Sequence, residues 1–405
     1  MIFRILNVCA RVTGHPQQYD LLKDYCAAFN RWDDLIIHAE AQGMGPLLYH
    51  HICAIDPTIP DPFRRVLRLL YLRHQQKNKI LVKVLRHVIA LLENEGINAL
   101  VLKGAALCNT LYPEPGLRPM RDMDIMVQKK DVQRAQQMMI SNGFTASTEP
   151  IPSDHFHLPE LHQTIDNVPV CLELHHSLFP DCPPYYKPLG FNDLQRSSLC
   201  FDLNGTTAYS LSHVEMLWHL YQHGFCMPLT YEQYKLITVA DIVSLIEEKT
   251  DEIDWDMIKS KYPELLNILP LFHYLTPWQD RIKNRLPIRK NHPPKGVGMR
   301  FQGWPKVRLS EQKNKGILKI LCDTFFPPQW WFKMYYSTTG WISWYYTRFI
   351  KHPLHIFWWI KLYGSYFCDF HIAQTKASED VPSRSIISRL RNFKIIVVAV
   401  YKKLY

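Results

Sequence analysis

Between residues 20 and 95, apolar positions recur at three- and four-residue spacing. DLLKDYCAAFN and LIIHAEAQGMGPLLYHHI show it, and the longer FRRVLRLLYLRHQQKNKILVKVLRHVIALLENEG carries it up to Gly96. That spacing predicts helices, and Gly96 suits a C-terminal cap. The period then changes. INALVLKG (97–104) is a short continuous apolar run of the kind that forms a buried strand, and Gly104 turns the chain into a short helix, AALCNTLY (105–112). YPEPGLRP holds three prolines and a glycine and reads as a loop. MDIMV (123–127) is a second strand, KKDVQRAQQMMISNGF an amphipathic helix closing at Gly143, and VPVCLELHHSLF (168–179) a third strand after a loop-like stretch over 150–169. Residues 193–280 turn helical again. SHVEMLWHLYQHGF opens on Ser212 with Glu215 three residues later, a capping box, and YKLITVADIVSLIEE and DWDMIKSKYPELLNIL follow. Residues 284–306 mix Pro, Gly and basic residues as a linker, and short helices broken by FFPP and KHP come after 310.

A chain of 405 residues is too long for one small core and predicts two or three domains. Ten cysteines show neither a CxxC nor a Cys/His run at metal spacing, which points to buried thiols in a reducing, cytoplasmic setting. The first residues lack the apolar run of a signal peptide, and no run of 18 apolar residues predicts a spanning helix. The net charge of +10 is uneven. Residues 1–280 hold 24 Lys/Arg against 32 Asp/Glu, whereas residues 281–405 hold 23 against 5, or +18. The same basic third carries PPQWWFKMYY, GWISWYYTRF and HIFWWIKLYG. Aromatic residues with polar edges beside Lys and Arg suit an anionic membrane surface or, less well, nucleic acid; the competing reading is the core of a small helical subdomain.

The candidate chemistry lies in RPMRDMDIMV. Asp122 and Asp124 stand two apart at the start of a strand, so both side chains point to one face. Together they can hold a hard cation, which prefers oxygen ligands; Mg²⁺ takes one or two carboxylates and completes its shell with phosphate. Glu173 stands between Leu172 and Leu174 in an apolar strand, where an acid is costly unless paired or metal-bound. The three acids would make a two-metal site for in-line phosphoryl chemistry. Alone, the Asp-x-Asp is a weak motif, and an Asp at a strand edge often just caps a turn. Lys103-Gly104 upstream closes a strand and opens a helix, so backbone N–H groups there can face a phosphate.

LVLKGAALCNTLYPEPGLRPMRDMDIMV resembles the core of the nucleotidyltransferases of the DNA polymerase beta superfamily, and among them the family of uncharacterised bacterial nucleotidyltransferases. The matching elements are Leu102-Lys103-Gly104, Tyr112-Pro113, Gly116-Leu117-Arg118, Asp122-Met123-Asp124 and Glu173-Leu174-His175. The resemblance continues through LSHVEMLWHLYQHGF, VADIVSLIEE and IDWDMI, over about residues 30–280. It implies an α+β fold: a polymerase-beta-like core with a small mixed sheet and helices, flanked by an N-terminal helical segment and a C-terminal helical domain. The divisions expected are 1–95 (helical segment), 96–192 (core), 193–283 (helical domain), 284–309 (linker) and 310–405 (basic aromatic tail). The implied activity is Mg²⁺-dependent (or Mn²⁺-dependent) transfer of an NMP from an NTP, ATP first, to a hydroxyl of a small molecule, saccharide, peptide or protein, with pyrophosphate released. Asp122, Asp124 and Glu173 are the implied catalytic and metal residues. Lys103, Gly104, Arg118 and Arg121 are the implied nucleotide-binding residues. One departure stands out: the superfamily's Gly-Ser is Gly104-Ala105 here, so the serine contact to phosphate is lost. It motivates the alternative of a degenerate module that binds nucleotide or protein, or serves as a membrane-associated biosynthetic accessory.

His175 shares the Glu173 face and borders the site, while His176 faces away. His219 and His223 share one helical face, a spacing that permits a metal pair; the other reading has one of them packed near the site or under the sheet. Asp241, in the apolar helix VADIVSLI, either caps locally or reaches the cleft as a base. Trp255 reads as a core anchor. The expected location is cytoplasmic, with the tail at the inner face of the membrane.

Overall fold

A computed structural model describes residues 1–55, 59–148, 151, 155–179, 189–226, 234–286, 288, 293–299 and 316–357. Most of the expected linker, and the tail beyond residue 357 with HIFWWIKLYG in part and FKIIVVAVYKKLY in full, lie outside them. The fold is α+β. Seven strands form one mixed sheet: β1 (Ala99–Val101), β2 (Met123–Val127), β3 (Thr145–Ala146), β4 (Leu161–Ile165), β5 (Val168–His175), β6 (Leu199–Asp202) and β7 (Thr207–Ser210). Their spatial order is β3-β4-β5-β2-β1-β7-β6. β2 lies antiparallel to β1 and parallel to β5, and β1 lies parallel to β7. All five residues of β2 are buried, as befits its central place.

The three expected strands form where the apolar runs lie, but the sheet is larger than they suggest. The stretch 150–169 is not all loop: it contains β4, paired in register with β5 through a turn at Asp166 and Asn167, both with positive φ. The helical reading of 193–280 is broken by the β6–β7 hairpin. That hairpin turns on Asn204 and Gly205, again both with positive φ, the backbone that a two-residue turn between twisted strands requires.

Helices surround the sheet. The longest, Asp61–Asn94, packs against β1, β5 and the turn Pro115–Leu117 that precedes the Asp-x-Asp segment. The helix Lys103–Thr110 packs on β2 and on the helix His213–Phe225, which packs in turn on Leu236–Lys249. One continuous apolar core runs from Ile5 to Met334. Near its N-terminal end lies a buried ion pair: Arg11 Nη1 stands 2.9 Å from Glu247 Oε1, while its other nitrogens donate to Thr276 Oγ1 and the Pro277 carbonyl. Burial pulls the Arg11 guanidinium below its usual range and pushes the Glu247 carboxyl up to about 7. Desolvation thus outweighs their mutual attraction on both sides.

Candidate active site

The sheet register builds the site. Parallel pairing puts Asp124 of β2 directly beside Glu173 of β5, and Met126 beside His175. Side chains two apart share a face, so Asp124, Glu173 and His175 converge from two adjacent strands, and Asp122, just before β2, feels the charges of Asp124 and Glu173. One ligand atom each from Asp124, Glu173 and His175 falls within 4.8 Å of the others. His175 Nε2 lies 3.0 Å from Asp124 Oδ1 and 3.3 Å from Glu173 Oε2. His157, its ring centroid 5.2 Å from that of His175, approaches the same Glu173 oxygen, its Nε2 at 3.9 Å.

Lys103 closes the cluster. Its Nζ donates to Asp124 Oδ1 at 2.8 Å, and the Asp124 carbonyl accepts from the Leu102 N–H at 2.9 Å. The lysine backbone has φ of 41°, in the left-handed region, where a side chain costs roughly 1–3 kcal/mol. The turn from β1 into the helix holds Lys103 there, which aims the ammonium at β2.

The electrostatics follow from this packing. Burial disfavours the Asp124 carboxylate, but Lys103 and His175 outweigh it and hold the group well below the usual carboxylate range. For Asp122 the balance reverses: burial and then the neighbouring Asp124 charge outweigh Lys103 and push it up to about 6. Burial works against protonated Lys103 and His175, yet the surrounding carboxylates raise both. The ammonium of Lys103 sits on Asp124 where a divalent cation would sit. Two carboxylates and an imidazole fit such a cation, with the imidazole favouring Mn²⁺ more than Mg²⁺ prefers.

The arginines separate. Arg118 is half-buried against Asp241, with Nη2 2.7 Å from Oδ2 and Nε 3.3 Å from Oδ1, and the Tyr112 hydroxyl donates to the same Oδ1 at 2.7 Å. Asp241 therefore neither caps locally nor stands free: it engages Arg118. A Cβ on Gly104 would lie 2.0 Å from Arg118 Nη1, so the glycine is what makes room for this guanidinium. Arg121 is exposed.

Three contributors escape a linear reading. Asn78, buried in the long helix, donates to the carbonyls of Pro115 and Arg118 and accepts from the Met120 N–H, fixing the loop before Asp122. A polar residue on the apolar face of an amphipathic helix was its only signal. Lys77 from the same helix is depressed by burial and feels the charges of Asp122 and Arg121. The third is the surroundings of His219. It is wholly buried with neither ring nitrogen hydrogen-bonded, and it and His223 feel the charges of Lys103, Asp124 and His175. Burial pushes His223 down to about 3 and His219 well below its usual range, so both are neutral imidazoles.

No curated protein matches the chain. Among solved structures, a Thermotoga maritima protein assigned provisionally as a nucleotidyltransferase is 16% identical, with 32% of this chain and 75% of that one covered and a TM-score of 0.25. An antigenic nucleotidyltransferase-like protein from Paracoccidioides brasiliensis is 13% identical, with 50% and 96% covered and a TM-score of 0.29. The antibiotic-resistance factor ANT(2'')-Ia is 13% identical, with 46% and 96% covered and a TM-score of 0.31. The sequence model described as "Uncharacterised nucleotidyltransferase" matches residues 30–276, which span Lys103, the Asp-x-Asp, Glu173 and Asp241, and the chain belongs to that family.

Proposed function

We propose that the chain transfers an NMP from an NTP, ATP first, to an acceptor hydroxyl. The acceptor oxygen attacks the α-phosphorus, the bond to the bridging oxygen breaks, pyrophosphate leaves, and the hydroxyl proton passes to Glu173. Asp122, Asp124 and Glu173 would hold a divalent cation, Mg²⁺ or Mn²⁺, which would supply charge neutralisation for the triphosphate. Lys103, which donates to Asp124 Oδ1, would be placed to offer its ammonium to phosphate. Arg121, at the rim, meets the leaving pyrophosphate. Gly104, Arg118 and Asp241 keep the loop above the site in shape. The observation that carries this reading is the register of Asp124 beside Glu173, with Lys103 and His175 closing the cluster.

The test is label transfer from α-labelled ATP into cell extract with Mg²⁺ or Mn²⁺. Asp124→Asn should lower transfer at least about 100-fold, the scale of losing one charge-stabilising group in an active site. Undiminished transfer by that variant would overturn the site. ATP binding without any transfer by the wild type would favour the degenerate binding module.

For the tail, we infer contact with an anionic membrane surface. Among the described residues no helix is long and apolar enough to cross a membrane. Helical residues 341–357 instead turn Trp341, Tyr345, Phe349, Ile350, Leu354 and Phe357 outward, in a region of net charge +18.

A further inference from the structure

A second group of metal-binding side chains lies on the sheet beyond the carboxylate cluster. β4 and β5 pair antiparallel, with His162 directly opposite Cys171. Glu160 precedes β4 by one residue and reaches back over the same pair. His162 Nε2 stands 3.4 Å from Glu160 Oε2, and Cys171 Sγ donates to that same oxygen at 3.6 Å. One donor atom from each of the three lies within 4.8 Å of the other two.

These spacings can be compared with a known coordination shape. Tetrahedral Zn²⁺ binds nitrogen at about 2.0–2.1 Å, carboxylate oxygen at about 2.0–2.2 Å and sulfur at about 2.3 Å. At the tetrahedral angle those bonds put nitrogen and oxygen about 3.4 Å apart, and sulfur and oxygen about 3.6 Å apart. The two edges that meet at Glu160 already have these lengths. Two hydrogen-bonded strands hold the donors, so little rearrangement is needed to close on an ion. Glu160 and His162 are exposed and Cys171 half-buried, which leaves an entry path and a fourth position for water. The set of sulfur, imidazole and a single carboxylate suits a borderline-soft ion and suits Mg²⁺ poorly. The hairpin turn between His162 and Cys171 hides the group from any linear motif.

We propose that Glu160, His162 and Cys171 form a Zn²⁺ site separate from the carboxylate cluster. It clasps β4 to β5, the strand that carries Glu173. The site does not depend on nucleotidyl transfer, so its test does not either.

The probe is Co²⁺, added to the metal-stripped full-length protein in excess Mg²⁺, with near-ultraviolet absorption as the readout. A thiolate-to-Co²⁺ charge-transfer band should saturate at one equivalent, and Zn²⁺ should abolish it. Cys171→Ser should remove the band. His162→Gln should weaken the metal at least about tenfold, since even residues behind the ligands contribute that much. Asp124→Asn should leave the band intact. A thermal melt of each variant without metal shows whether it is folded. Absence of the band in the folded wild type, or its survival in Cys171→Ser, overturns the proposal. Loss of the band in folded Asp124→Asn would place the ion in the carboxylate cluster and overturn it equally.

Discussion

At the scale of single residues, the clearest constraint is the space over Gly104. Arg118 fills it, and Asp241 and Tyr112 hold Arg118 in place. Gly104→Ala should therefore push the guanidinium off Asp241 and destabilise the protein by about 1–3 kcal/mol, the usual cost of overpacking. Gly190→Ala is the control, because its added Cβ meets only ordinary contact, with Asp193 Oδ2 at 3.5 Å. Equal melting temperatures for the two variants would show that Arg118 does not need the space. His175 offers a second test. Its folded pKa is raised, so the stability it contributes is complete below the unfolded value of 6.5 and is lost as pH rises through the folded value. In an NMR titration the His175 ring should give a midpoint above 6.5. In parallel, the stability gap between wild type and His175→Gln should narrow as pH rises through that midpoint. A midpoint at or below 6.5 would contradict its hydrogen bonds to the carboxylates.

At the scale of elements, the helix over residues 341–357 is inverted. Its solvent face is aromatic and aliphatic, whereas Thr347, His352 and His355 are buried, with His352 bridging the Tyr336 hydroxyl and the Thr324 carbonyl. Trp341→Ser with Phe349→Ser should abolish co-flotation with vesicles of anionic lipid and leave the melting temperature unchanged. Wild type should float with anionic vesicles and sediment with zwitterionic ones. Flotation that is indifferent to both substitutions would remove the membrane reading. The strands show what could be read in advance. β1 and β2 are central, largely buried and apolar, and β5 beside them buries Val170, Leu172 and Leu174, so their runs stand out in the sequence. β4, with LHQTI, alternates between buried and partly exposed, and β6 is mostly exposed. β6 lies at one edge of the sheet and β4 is one strand in from the other, covered by the two-residue β3; both are held more by hydrogen bonds to neighbours than by burial, and apolar periodicity does not record that. The candidate site divides the same way. Asp122, Asp124 and His175 follow from strand period, and Glu173 from a charge amid leucines. The partnership of Arg118 with Asp241, and the role of Asn78, depend on packing between elements far apart in the chain.

At the scale of the whole molecule, the apolar core is continuous from Ile5 to Met334, and the Arg11–Glu247 pair ties its N-terminal edge to the late helices. Removing one partner of a buried pair strands the other, so Arg11→Met should cost about 3–5 kcal/mol at pH 8. The cost should shrink at pH 5. The folded Glu247 carboxyl is raised from 4.5 to about 7, so at pH 5 it carries its proton and has no charge to strand. Denaturant unfolding at the two pH values measures the difference, and an equal loss at both would mean that Glu247 stays ionised.

That pair also has a place in time. Arg11 leaves the ribosome long before Pro277, 266 residues later, supplies the last of its acceptors. At about 5–20 residues per second the interval is roughly 15–50 s. Throughout it the guanidinium must stay in water, and the apolar residues around it, Ile5, Leu6 and Val8, have no finished core to enter. A segment made well before its partners is thus among the last to be buried, and until they arrive it offers exposed apolar side chains to a chaperone.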